Sequence, residues 1–138
     1  WALQDDPNVT WREALQLPGS RQMGLLWELL SSLAWWKLQP DEDLVAIQEK
    51  DPLHHVAAAR TEDTLLFYAP DCDTIAIDRQ RGGLFEHAFH AQWFHPARGT
   101  RTDADEPEMD ENRVTFHVPD QGVRDWVLIM LSGSTAHN

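Results

Sequence analysis

From residue 20 to about residue 34, apolar side chains recur at Met23, Leu26, Trp27, Leu30 and Leu33, the spacing of one helical face. Leu25 and Leu29 extend that stripe sideways, so the helix is expected to need partners on more than one side. Upstream, Thr10-Trp11-Arg12-Glu13 has the form of a capping box: the threonine hydroxyl can accept from the amide three residues on, and Glu13 can reach back. A short helix is expected there, stopped by Pro18-Gly19.

Beyond residue 54 the period changes to short runs rich in β-branched and aromatic residues, separated by turn residues. Strands are predicted over 55–60, 64–69, 73–79, 88–94, 114–118 and 125–132. Ile75 and Ile77 alternate with Thr74, Ala76 and Asp78, and Val114, Phe116 and Val118 alternate with Thr115 and His117, so each strand has one buried and one wet face. The run from Trp126 to Leu131 is apolar on both faces, as in a central strand covered on both sides, with the helix of residues 20–33 over one of them. Pro96-Ala97-Arg98-Gly99 supplies the proline and glycine of a tight hairpin. The pattern predicts a mainly β fold, a small antiparallel sandwich or barrel of six to eight strands, preceded by an N-terminal helical segment. Pro40-Asp41-Glu42-Asp43 suits a turn at the junction, so residues 1–38 are expected to form the helical segment and 39–138 the β domain.

Composition narrows the partners. Eleven basic against twenty-three acidic side chains give a net charge of -12, which repels phosphate backbones and anionic head groups, so neither nucleic acid nor a membrane surface is expected. No run of about 18 apolar residues is present. The single Cys72 excludes an internal disulfide, and its neighbours Asp71 and Asp73 would raise a thiol pKa, which makes it a turn residue and not a nucleophile. With Trp1 in place of an initiator methionine, the chain is expected to be a piece of something longer.

Two stretches carry a specific likeness. Residues 11–24, including Leu17-Pro18-Gly19-Ser20-Arg21-Gln22-Met23, and residues 33–41, including Trp35-Trp36-Lys37, resemble the end of the catalytic barrel of apiosidase-like glycoside hydrolases and the start of the C-terminal collagen-binding domain that follows it. Leu66-Phe67-Tyr68-Ala69-Pro70 is similar to that domain's second strand, and Gln92-Trp93-Phe94-His95-Pro96-Ala97-Arg98-Gly99 to its "Trp-Phe-Asp-Pro-Arg-x-Gly" hairpin, with His95 where the family has aspartate. The resemblance implies a catalytic (β/α)8 barrel in the same polypeptide, with its two catalytic carboxylates upstream of Trp1, and export to the periplasm or outside the cell.

Within the chain itself, the acids fall on turns and in a stretch over 100–113 that is expected to be an exposed loop, and no pair is held on a rigid floor as glycoside hydrolysis requires. No catalytic residue is assigned, and no cofactor. Seven histidines invite a metal reading, yet His87 and His90 would point to opposite faces of a strand, while His90 and Gln92 would share the wet one. The acids Asp103, Asp105, Glu106 and Asp110 lack the central glycine of an EF-hand loop, so no metal site is assigned. Trp11, Trp27, Trp35 and Trp36 could offer faces to sugar rings, with Trp11, Trp35 and Trp36 the candidate ligand-binding residues; the competing reading is packing, in the core or between domains. Adjacent Trp35 and Trp36 cannot both point into one core. Two functions follow: an accessory domain that packs against and supports its catalytic barrel, or a module that binds polysaccharide or collagen-like protein. An independent small enzyme is the weakest of the readings.

Overall fold

A computed structural model describes residues 9–83, 88–119 and 124–133. The helical segment comprises α1 (Trp11–Ala14) and α2 (Pro18–Ser31). The strands are β1 (Gln39–Pro40), β2 (Ala57–Arg60), β3 (Thr64–Pro70), β4 (Thr74–Asp78), β5 (Phe89–Phe94), β6 (Arg101–Asp103), β7 (Glu108–Met109), β8 (Arg113–His117) and β9 (Asp125–Ser132), with a one-turn α3 (Arg79–Gly82) after β4. The fold is mainly β, as the alternation predicts, and two of the nine strands among the described residues are only two residues long.

Six strands form one antiparallel sheet in the order β1-β2-β3-β9-β5-β6, and three form a second in the order β4-β8-β7. Period-two alternation assigns each inner face. In β3 it sends Leu65, Phe67 and Ala69 inward opposite Met130, Leu128 and Trp126 of β9; Trp93 of β5 lies beside Leu128 on the same face. Ile75 and Ile77 of β4 with Val114 and Phe116 of β8 close the core from the smaller sheet. The odd-numbered residues of β9, Val127 and Ile129, face the other way and meet Leu29 of α2 and Leu33 just after it, with Phe94 alongside. The doubly apolar run is thus a central strand covered by the second sheet on one side and the helix on the other.

Two local expectations need correction. Pro18-Gly19 does not follow the first helix as a stop; α1 ends at Ala14, and Pro18 opens α2, where its fixed φ suits the first turn and its missing amide hydrogen has no helical partner to lose. The capping box on α1 is present, with Thr10 Oγ1 accepting from the Glu13 amide and the Glu13 carboxylate accepting from the Thr10 amide at 2.8 Å. The acidic stretch is not one loop: β6 pairs with β5, β7 pairs with β8, and residues 104–107 carry the chain from one sheet to the other. Both strands are exposed throughout, and edge strands tolerate charge on either face, so the acidity marks exposure and not absence of pairing. Leu25, Leu29 and Leu33 are the residues against the sheet, while Met23, Leu26 and Trp27 remain exposed.

An ion pair on a buried carboxylate ties the turn after β1 to α3. Asp41 lies buried under the turn formed by Glu42–Leu44, where Arg81 of α3 donates from Nε at 3.0 Å and from Nη2 at 3.0 Å. Arg60 of β2 stands at 3.7 Å and donates to the Arg81 carbonyl at 2.9 Å. The hydrogen bonds from Arg81 hold the Asp41 carboxyl below its usual value of 3.8; burial opposes this, and the charges of Arg81 and Arg60 add to the lowering. Because the folded value is the lower one, the stabilisation is complete well above pH 3.8 and is lost as pH falls through that value and on through the folded pKa. Denaturant midpoints taken from about pH 6 down to about pH 2.5 should therefore fall less steeply for Asp41→Asn than for the parent chain. Identical acid slopes would remove Asp41 from this role.

Candidate interaction surface

The helical segment presents two different flanks. Helical periodicity puts Met23, Leu26 and Trp27 on one, away from Leu25 and Leu29, and Arg21, Gly24 and Glu28 on the other. Met23 and Trp27 are 64% and 62% exposed, values usual for a charged residue and not for these side chains. Beside them runs a groove of about 610 Å³ between the helix and the ends of β3 and β9, lined by Met23, Leu26, Tyr68, Phe94, Arg124 and Asp125. Burial, and after it the adjacent Asp125 carboxylate, keeps the Tyr68 phenol above its usual pKa, so it remains a neutral hydroxyl at physiological pH. The groove walls are mainly apolar, with polar groups gathered at the β9 end.

On the other flank the hairpin after β5 closes against the helix. Gly99 has φ +72°, and a Cβ built on it would sit 2.5 Å from Leu25 Cδ2, so only glycine lets the turn lie this close. Arg101 Nη2 donates to Ser32 Oγ at 2.9 Å, a second tie between hairpin and helix. His95, expected as the family's aspartate replaced, is 2% exposed and does an aspartate's work in the turn: its Nδ1 accepts from the Ala97 amide at 3.1 Å. Its carbonyl accepts from Gly99 at 2.8 Å, and its ring meets Trp126 edge to face with centroids 5.0 Å apart. With Nδ1 accepting, Nε2 carries the proton, and it has no hydrogen-bond partner among the described residues.

The candidate tryptophans are all on the surface. Trp35 and Trp36 are 46% and 68% exposed and stand edge to face, centroids 6.3 Å apart and planes at 83°. Trp11 is exposed too, under the Arg12 guanidinium at 5.1 Å from the ring centroid, and among the described residues it makes no ring contact with the pair. All of them, with Trp27, lie on the helical segment or just after it, and among the described residues only Trp35 and Trp36 are in ring contact with each other.

Among the described residues Glu13, Asp41, Asp63, Asp103 and Asp110 are perturbed, and every one is pushed down by hydrogen bonds, the reverse of what a general acid needs. Asp103 accepts from Gln92 and lies 3.1 Å from His90 Nε2, which puts His90 and Gln92 on one wet face as the alternation predicts; His87 lies outside the described residues. No group of three or more metal-ligating side chains occurs among the described residues. The Cys72 thiol is pushed up, first by burial and only then by Glu49, Asp71 and Asp73, and it lies 3.1 Å from the Pro70 carbonyl. Burial therefore outranks the flanking carboxylates expected to dominate. What the sequence did not mark was Arg98 and Arg21, which line a shallow cleft with Leu25 and Ala97 on the hairpin side of the helix; lone charges in a polar stretch carry no periodic signal.

Among solved structures, a protein titled "Glycoside hydrolase" superposes with a TM-score of 0.72 at 23% identity, over 94% of this chain and 31% of its own. A glycoside hydrolase family 5 protein from Bacteroides vulgatus ATCC 8482 also gives 0.72, at 24% identity, over 92% of this chain and 27% of its own. These likenesses establish the fold, and the chain spans less than a third of either protein. No curated protein matches. A family profile described as "Putative collagen-binding domain of a collagenase" matches residues 39–131. The chain belongs to that family.

Proposed function

We propose that this chain is the non-catalytic C-terminal accessory domain of a glycoside hydrolase, and that it packs against and supports the catalytic (β/α)8 barrel of the same polypeptide. The observation that carries the reading is the helix α2, which is buried against the sheet on Leu29, with Leu33 just after it, yet leaves Met23, Leu26 and Trp27 in solvent. A helix that is apolar on two flanks and covered on one has room for a second neighbour. The glycoside hydrolases that share this fold are over three times as long as the matched portion, which supports a large neighbouring domain. Export of the parent enzyme belongs to the same reading and is supported by the family likeness alone.

In the full-length polypeptide, Leu26→Asp with Trp27→Asp should split thermal unfolding into two transitions and shorten the half-life of hydrolysis on heating. Two charges in an apolar interface weaken it by about 2–4 kcal/mol. The docking reading fails if unfolding and inactivation are both unchanged. The second reading, a module for polysaccharide or collagen-like protein, is favoured by the exposure of Trp35 and Trp36, although rings at right angles do not make the flat platform on which consecutive sugars stack. Retention of the full-length polypeptide on a polysaccharide or collagen matrix, lost on Trp35→Ala with Trp36→Ala, would establish it.

A further inference from the structure

The chain carries -12 overall, so an arginine in it has carboxylates in excess to choose from. Most find a partner: Arg60 and Arg81 meet Asp41, Arg113 meets Asp110, Arg124 meets Asp71, and Arg79 donates to the Asp110 carbonyl. Arg12 lies over Trp11, and Arg101 donates to Ser32. Arg21 and Arg98 are the exceptions. Among the described residues their guanidinium groups have no ion pair, hydrogen bond or ring contact, and both side chains line the same cleft of about 500 Å³ between α2 and the hairpin. Glu28 also lines that cleft and pairs with neither.

The two segments that carry these arginines repeat the imbalance in their sequence. Residues 9–38 and 95–101 hold five basic side chains, Arg12, Arg21, Lys37, Arg98 and Arg101, against two acidic ones, Glu13 and Glu28. Residues 41–78 hold ten acidic side chains, and residues 102–113, over β6, β7 and their connections, hold six more. Gly24, on the same flank as Arg21, is a glycine inside a helix, where it weakens the helix relative to alanine, and a Cβ there would meet nothing within 4 Å. No packing among the described residues calls for it, and its bare backbone permits close approach from outside.

We propose that the catalytic-domain surface covering α2 is acidic at its edge, with a carboxylate side chain seated between Arg21 and Arg98 where its backbone passes over Gly24. This rests on the docking reading above and adds the chemistry of the partner: an apolar centre against Met23, Leu26 and Trp27, and an acidic rim against the two free guanidiniums. Arginine favours such a seat because its planar fork grips a carboxylate with two hydrogen bonds. A rim pair of this kind is sensitive to salt, whereas the apolar centre is not.

The test uses the full-length polypeptide and the rate at which a protease cuts the junction between the domains. Arg21→Glu with Arg98→Glu should raise that rate about tenfold at low salt, and Arg21→Gln with Arg98→Gln by less, each lost charge pair weakening closure by a fewfold. Raising sodium chloride should bring the parent protein towards the variants. Arg113→Glu, on the far sheet, should leave the rate unchanged. Both arginines are exposed, and an unchanged urea midpoint for the β domain, checked for each variant, separates loss of docking from loss of fold. If Leu26→Asp with Trp27→Asp speeds cleavage while both arginine pairs leave it unchanged, docking stands and the acidic rim is overturned. If neither set has an effect, the docking reading and this inference fall together.

Discussion

Replacing Trp126 with alanine should destabilise the domain by about 3–5 kcal/mol, a large share of the stability of a domain this size. Trp126 is 1% exposed, on the inner face of the central strand β9. Its ring meets Trp93 edge to face, centroids 6.4 Å apart, and on another side the His95 ring at 5.0 Å. Truncation therefore removes a large apolar surface, leaves a cavity that the stiff strands β5 and β9 cannot close, and deprives His95 of the ring that holds it in the turn. Urea unfolding followed by far-ultraviolet circular dichroism measures the loss. Trp27→Ala, at a site 62% exposed, should change the same midpoint by less than about 0.5 kcal/mol. Comparable losses at the two positions would mean that the core has been misplaced.

The two tryptophans also show where sequence patterning reaches its limit. Trp126 sits in a run that is apolar at odd and even positions alike, and only a strand covered on both faces accepts that, so its burial was legible. The alternation in 74–78 and 114–118 likewise identified the inner face of the smaller sheet. In the helix the same reasoning found both apolar arcs without assigning either to the sheet. Met23, Leu26, Trp27, Leu30 and Leu33 fit a 3.6-residue period as well as Leu25, Leu29 and Leu33 do, and periodicity cannot say which of two apolar arcs meets a partner in the same domain. Leu25 and Leu29 win because the flank they occupy is where Gly99 and Phe94 leave room.

The candidate surface was less legible than the fold. Exposed Trp11, Trp35 and Trp36 were recognisable as aromatic residues in excess of one core's needs, yet whether they would gather depended on turn geometry after α2. The ion-pair network of Asp41 draws on residues 40 positions apart, and the isolation of Arg21 and Arg98 appears only once every other arginine has been placed. Such features are set by tertiary position and leave no trace in local spacing. His95 is intermediate: the hairpin sequence located the turn, but only the coordinates show an imidazole nitrogen accepting the amide hydrogen bond that aspartate would take.

Gly99→Val is expected to destabilise the domain by about 2–4 kcal/mol and to loosen α2 before the sheets. Two effects combine. A φ of +72° strains a residue with a Cβ by about 1–2 kcal/mol, most for a β-branched side chain. The new Cβ would also lie 2.5 Å from Leu25 Cδ2, and Leu25 is pinned between hairpin and sheet, so relief requires the helix to move outward by about 1 Å or the leucine to leave its rotamer, at roughly 1–2 kcal/mol. Hydrogen exchange should then rise in 25–33 while β3 and β9 stay protected. The two contributions can be separated. Leu25→Ala removes the clash and leaves the backbone strain, so in a double-mutant cycle with Gly99→Ala the pair should be about 1 kcal/mol less damaging than the sum of the single changes. Strict additivity would show that the turn merely tolerates glycine there. A positive coupling would show that the hairpin holds the helix in place, and with it the exposed flank of Met23 and Trp27 on which docking depends.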